Sequence, residues 1–134
     1  MTQKDKELLL KDLCARLPYG VKIKLIRWDI DEGMYINTTL EPDDIERLLN
    51  DEEGDTEIKS YLFPLSSMTE EQEREYNTLR DFVYTHHYEY EDIVEDMGLY
   101  DNWRSIDYLN ANHFDYRGLI EKGLAIDATG LNIY

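Results

Sequence analysis

Two different spacings of apolar residues follow one another in the first third of the chain. Leu10, Leu13, Cys14 and Leu17 fall at i, i+3, i+4 and i+7, one stripe of a helix, which predicts a helix over residues 4–16. Thr2 and Asp5 offer an acidic variant of a capping box, Lys11 and Arg16 lie where the helix dipole favours cations, and Pro18 ends the element. From Val21 the period drops to two. Val21, Ile23 and Leu25 alternate with Lys22 and Lys24, and Met34, Ile36, Thr38 and Leu40 alternate with Tyr35, Asn37 and Thr39, predicting two half-buried strands. Asp31, Glu32 and Gly33 supply turn residues between them, so residues 20–40 read as a hairpin.

Further along, Pro42 with Asp43 and Asp44 favours a short helix through Ile45, Leu48 and Leu49. Residues 50–55 read as an exposed acidic loop, residues 58–63 as a third strand, and Pro64 as its stop. Thr69 followed by Gln72 is a capping-box pattern, opening a helix with Tyr76, Leu79 and Val83 on its buried stripe and an end near Phe82. A short helical piece is expected over residues 92–97, closed by Gly98. Ser105 is a candidate cap before Ile106 and Leu109, and Asp115 before a helix over residues 116–122. Gly123 suits a left-handed position after that helix, with Leu124 returning onto Leu119, and residues 124–127 read as a short edge strand. The expected fold is α+β: a small antiparallel sheet of three to four strands, built from the hairpin 20–40, strand 58–63 and a short strand 124–127, packed against four to five helices. Residues 1–134 are expected to form a single acidic domain, without repeats or linkers.

Charge changes the picture more than composition does. The net charge is −16, yet residues 1–28 carry seven Lys/Arg against three Asp/Glu. Residues 29–101 carry four against 23, a balance of −19, and residues 102–134 a balance of −1. A central field of that sign repels phosphate backbones and anionic lipid, so direct nucleic-acid binding and membrane binding are not expected. The apolar cluster Leu8–Leu10 is too short for a signal peptide or a membrane span. The single cysteine, Cys14, excludes an intramolecular disulfide and suits a reducing, cytoplasmic setting.

Candidate chemistry thins out on inspection. Asp29, Asp31 and Glu32 before Gly33 depart from a calcium loop, which needs glycine sixth and glutamate twelfth where this chain has Gly33 fifth and Leu40 twelfth. Asp51, Glu52, Glu53, Asp55 and Glu57 read as a solvated acidic loop before they read as a cation site. His86 and His87 are adjacent, so their side chains diverge, and His113 stands apart, which disfavours zinc. Cys14 on the expected buried stripe should be inert. Ser66 and Ser67 precede the capping Thr69 and lack a nucleophile elbow. Acid pairs such as Glu89 with Glu91, or Asp107 with Asp115, are expected by chance among 30 carboxylates. No glycine-rich phosphate loop is present, and neither cofactor nor metal is called for.

Three segments carry a resemblance. Residues 10–20 (LKDLCARLPYG), 61–69 (YLFPLSSMT) and 113–124 (HFDYRGLIEKGL) are similar to those of a family of short uncharacterised proteins met in gut anaerobes and their phages. The resemblance spans both ends and the middle third. It implies an intracellular setting and a mobile-element origin, and carries over no activity and no site residue.

Tyrosine is the compositional outlier, with 11 residues including Tyr84, Tyr88, Tyr90, Tyr100 and Tyr108 in one stretch. A large apolar face with a polar tip suits contact surfaces, so these five are the candidate partner-binding residues. Binding is therefore favoured over catalysis: an interaction module for a basic protein partner, or for a like subunit through the more neutral ends. One alternative is a nucleic-acid mimic occupying a basic DNA-binding protein. Another is an enzyme or ligand-binding domain whose pocket would gather His113, Asp115 and Tyr116.

Overall fold

The fold was derived from a computed structural model that describes residues 1–28, 34–81 and 103–134. Among these residues, helix α1 (Gln3–Arg16) leads through a 3-10 turn (Leu17–Tyr19) into strands β1 (Lys22–Arg27) and β2 (Met34–Thr39). Helix α2 (Pro42–Leu49), strand β3 (Thr56–Pro64), a second 3-10 turn (Leu65–Ser67) and helix α3 (Glu70–Arg80) follow. Helix α4 (Trp103–Ala111) and the short strands β4 (Phe114–Asp115) and β5 (Ala125–Asp127) complete the described elements. The α+β class is as the residue pattern implied.

The sheet is mixed, which corrects the antiparallel expectation. β1 pairs antiparallel with β2 on one side and with β3 on the other, but β4 and β5 both lie parallel to β3 along its far edge. Five strands therefore stand where three to four were expected, beside four described α-helices. The parallel contacts are two and three residues long, too short for any alternation of apolar and polar positions to announce them. The expected turn at Asp31, Glu32 and Gly33, Val83 and Phe82 at the end of the third helix, and the helical piece over 92–97 lie outside the described residues.

Register assigns the faces. Val21 just before β1, Ile23 and Leu25 of β1, and Ile58 and Leu62 of β3 point to one side, where Leu9 and Leu13 of α1 and Ile45 and Leu48 of α2 close over them. Leu119, Leu124 and Ala125 complete this core. β2 is the outer strand, and Tyr35, Ile36, Asn37 and Thr38 are all exposed, so its expected half-burial is not reached. Of the two expected capping boxes, Thr2 forms one half, its Oγ1 accepting from the Asp5 amide, and Thr69 and Gln72 exchange side chain to backbone hydrogen bonds in a full box.

Helix α1 sits one residue out of its expected phase. The buried stripe is Leu9, Asp12, Leu13 and Arg16, which leaves Cys14 exposed and Leu10 and Leu17 only half-buried. Two charged residues occupy that stripe because they satisfy each other and reach across the fold. Arg16 Nε donates to Asp12 Oδ2 at 2.8 Å, and Arg16 Nη2 donates to the Phe114 carbonyl at 2.6 Å. Arg117 Nε donates to the second carboxylate oxygen, Asp12 Oδ1, at 3.0 Å. Tyr116 lies against both guanidiniums, 5.0 Å from Arg16 Cζ and 4.8 Å from Arg117 Cζ, and donates its hydroxyl proton to Asn110 Oδ1.

Two further corrections concern the last third. Ser105 lies inside α4 and is buried, rather than capping it. Residues 116–122 form turns, not a helix. Asp115 therefore caps no helix, and its two oxygens instead close the turn by accepting from the amides of Leu119 and Ile120, both at 3.0 Å. Gly118 and Gly123 both take positive φ, 74° and 73°, and bracket too few residues for a helix. The hydrogen bonds of a Schellman ending still form, from Leu124 N to Leu119 O and from Gly123 N to Ile120 O.

Removing the shared carboxylate tests how far the fold leans on it. Asp12→Ala leaves Arg16 buried without its counter-charge and should cost about 3–5 kcal/mol in urea unfolding, with Asp12→Asn losing less because one acceptor remains.

Candidate functional site

A cleft of about 700 Å3 lies between the start of α1, the loop 50–55 and the turn that ends at Leu124. Its floor is the edge of the core, with Leu9, Leu48 and Ile58 each 1% exposed. Its rim is charged: Asp5, Asp51, Glu52, Glu53 and Glu57 against Lys6, Lys59 and Lys122. Asp51 is committed to the backbone, since its oxygens accept from the amides of Asp55 and Thr56 at 3.0 and 2.8 Å. Glu57 is 3.4 Å from Lys59 Nζ. Glu52 and Glu53 are exposed and point the remaining negative charge at solvent and at any guest.

Trp28 forms the aromatic part of the rim. Its amide donates to the Asp55 carbonyl at 2.7 Å, which fastens the end of β1 to the acidic loop, while the residue remains 58% exposed. An exposed indole beside carboxylates, above an apolar floor, fits an alkyl chain ending in a cation: the methylenes contact the floor, the indole face attracts the charge and the carboxylates pair with it. Among the described residues no histidine, cysteine or serine lines the cleft.

A second polar cluster lies at the end of α4. His113 takes φ 62°, a left-handed position usual for glycine, and its carbonyl accepts the Phe63 amide at 2.8 Å, tying the helix end to β3. Its ring stacks on Tyr134 at 3.8 Å, and its Nδ1 is buried without a hydrogen-bond partner. Burial, then the positive charges of Arg16 and Lys22, hold its imidazole down to about 4. Burial also raises the Tyr134 phenol to about 12, and its hydroxyl accepts from Lys22 N and donates to the Tyr61 carbonyl.

The candidate residues from the sequence fall in several places. Tyr84, Tyr88, Tyr90 and Tyr100 lie outside the described residues, as do His86, His87, Glu89, Glu91 and the Asp29–Glu32 group. Tyr108 spans α4 and α3, donating to Glu75 Oε2 at 2.8 Å, and burial followed by the Glu75 carboxylate raises its phenol to about 12. His113, Asp115 and Tyr116 do not line the cleft: Asp115 is engaged with two amides and Tyr116 with the arginines and Asn110. Asp107 accepts from Tyr19 and so is not paired with Asp115 in any acid–base arrangement. Ser67 donates to the Pro64 carbonyl and, like Ser66, is an exposed turn residue. Among the described residues no group of three or more His, Cys, Asp or Glu could hold a metal ion, and no helix is long and apolar enough to cross a membrane.

Trp28 is the functional candidate that pattern reading passed over. Its signal was present, a tryptophan at the end of an amphipathic strand next to an acidic turn, but exposure cannot be read from periodicity at a strand end. The chain matches no family model, and no match was found among curated proteins or solved structures.

Two outcomes follow from the site's geometry. The exposed Cys14 should react with a thiol reagent in the native protein at nearly the rate of the unfolded chain, which corrects its expected inertness. For His113, a folded value near 4 against 6.5 unfolded means that the neutral ring is favoured by the fold. Its contribution is fully present above about pH 6.5 and is lost as pH falls toward 4, partial solvent access keeping the loss modest. His113→Asn, which tolerates the same backbone, should flatten that part of the stability profile in urea titrations between pH 7 and 4.5.

Proposed function

We propose that this protein is a small cytoplasmic interaction module that receives a Lys- or Arg-bearing segment of a basic partner protein in the cleft beneath Trp28. The observation that carries the reading is the combination of an indole 58% exposed with an acidic rim over an apolar floor. The charge around it points the same way. Residues 41–57 hold nine carboxylates and one arginine, and four of the nine, Asp51, Glu52, Glu53 and Glu57, line the cleft. Attraction over that field speeds encounter, while burial of the incoming alkyl stem and the cation–π contact hold the complex.

An arginine-rich peptide titrated against the protein is the direct test. Binding should weaken about threefold to tenfold in Trp28→Ala, and by a similar factor in Glu52→Gln with Glu53→Gln, at low salt. Glu71→Gln with Glu73→Gln removes the same charge from α3, away from the cleft, and should change affinity far less. Equal losses at the two places would show that bulk charge, and not the cleft, attracts the peptide. An affinity unmoved by Trp28→Ala would remove the indole from the reading.

A further inference from the structure

Strand β2 is an open edge. In an antiparallel pair every second residue directs its N–H and C=O to its neighbour and the intervening residues direct theirs away. β2 pairs with β1 through six consecutive residues without a bulge, and among the described residues no backbone group bonds to its outer side. Natural edge strands are guarded by lysine, proline, bulges or inward-pointing charge. Met34-Tyr35-Ile36-Asn37-Thr38-Thr39 has none of these.

Two further features bear on what covers this edge. Ile36 shares the core-facing side of the sheet with its register partner Leu25, yet is 44% exposed where Leu25 is 5% exposed. The apolar face thus continues past the last strand. The strand itself carries no charge in a chain of net charge −16. It is therefore a segment that two identical copies can bring together without opposing like charges.

We propose that β2 pairs with β2 of a second copy of this chain, antiparallel about a two-fold axis at Ile36. The two Ile36 side chains then meet on the core-facing side and extend the apolar layer across the axis. On the other side Tyr35 lies against Asn37 of the second copy, a neutral contact. The free N–H and C=O groups of both edges are satisfied by one another, and the sheet runs continuously through the dimer. Pairing five residues of each strand, 34–38, buries little area, so the dimer is weak, with dissociation on the order of 0.1 mM. The two copies repel through their net charge, so screening tightens the dimer, opposite to the salt dependence of a basic guest in the cleft.

Sedimentation of the full chain from about 10 μM to about 1 mM, at low and at high salt, tests the pairing. The expected result is a monomer–dimer equilibrium tightened severalfold by salt, with β2 amides exchanging more slowly as concentration rises. Ile36→Lys places two ammonium groups opposite each other at an already exposed position, and should weaken dimerisation about tenfold with an unchanged melting temperature. A chain that stays monomeric throughout, or a dimer indifferent to Ile36→Lys, overturns the proposal. So does a monomer whose β2 amides are protected only when an unrelated extended peptide is added, which would assign the edge to a foreign strand.

Discussion

A single carboxylate with no access to water organises the junction of the molecule. Asp12 and Arg16 are both 0% exposed, and Arg117 reaches the same carboxylate from 105 residues along the chain. An arginine in a core is tolerable when its charge is matched and most of its donor groups are occupied. Asp12 supplies the charge and the Phe114 carbonyl takes another donor, while Nη1 stays buried without a partner. These contacts fix α1 against β4 and against the 115–124 turn, which in turn provides Leu119 and Leu124 to the core and one wall of the cleft. A site assembled from the two ends of the sequence thus depends on a polar bond network that hydrophobic burial alone would not specify.

Elsewhere the charges are kept apart rather than matched. Among the described residues, the ion pairs of the acidic middle join Asp44 to Arg47, Glu57 to Lys59 and Asp81 to Arg80, each between near neighbours in sequence and each with at least one partner substantially open to water. Such pairs contribute little, so most of the negative charge is left to act on the surroundings. The lysines of the first strand lie on the other side of the sheet from the core: Lys24 is beside Lys59 in the register and 4.6 Å from the Tyr35 ring, and Lys22 donates to Thr39. The outer face of the sheet is locally positive in an acidic molecule, and its aromatic residues moderate the repulsion between those lysines.

Local patterns in the sequence foretold the local structure well. The hairpin strands, α2 with Pro42 at its start, the Thr69–Gln72 box and the Gly123 ending all rest on interactions within a few residues of each other, where spacing and residue type are sufficient. What remained hidden depended on distance. A helical stripe of 9, 12, 13 and 16 has the same period as one of 10, 13, 14 and 17. Hydrophobicity chose the second because it counted Asp12 and Arg16 as surface residues, when their partners at Phe114 and Arg117 lie near the other end of the chain. The strand over 124–127 was legible, but its parallel pairing with β3, and the whole of β4, escaped notice for the same reason. Of the cleft, the acidic loop could be read, but its pairing with Trp28 required the Trp28 to Asp55 backbone bond.

The two surfaces proposed here, the acidic cleft and the neutral edge of β2, are connected through the field they share. Charges of −16 on each copy oppose close approach even where the touching segments carry none, so the edge is protected at a distance instead of by a lysine or proline in the strand. A basic segment held in the cleft cancels part of that charge, and the opposition to pairing falls with it. The coupling needs no change in conformation, because it acts through the work of bringing two like-charged bodies together. On the two proposals taken together it also has a definite sign: whatever neutralises the acidic middle would favour the proposed dimer, and by reciprocity that dimer, with its doubled field, would hold a basic guest more tightly than the monomer.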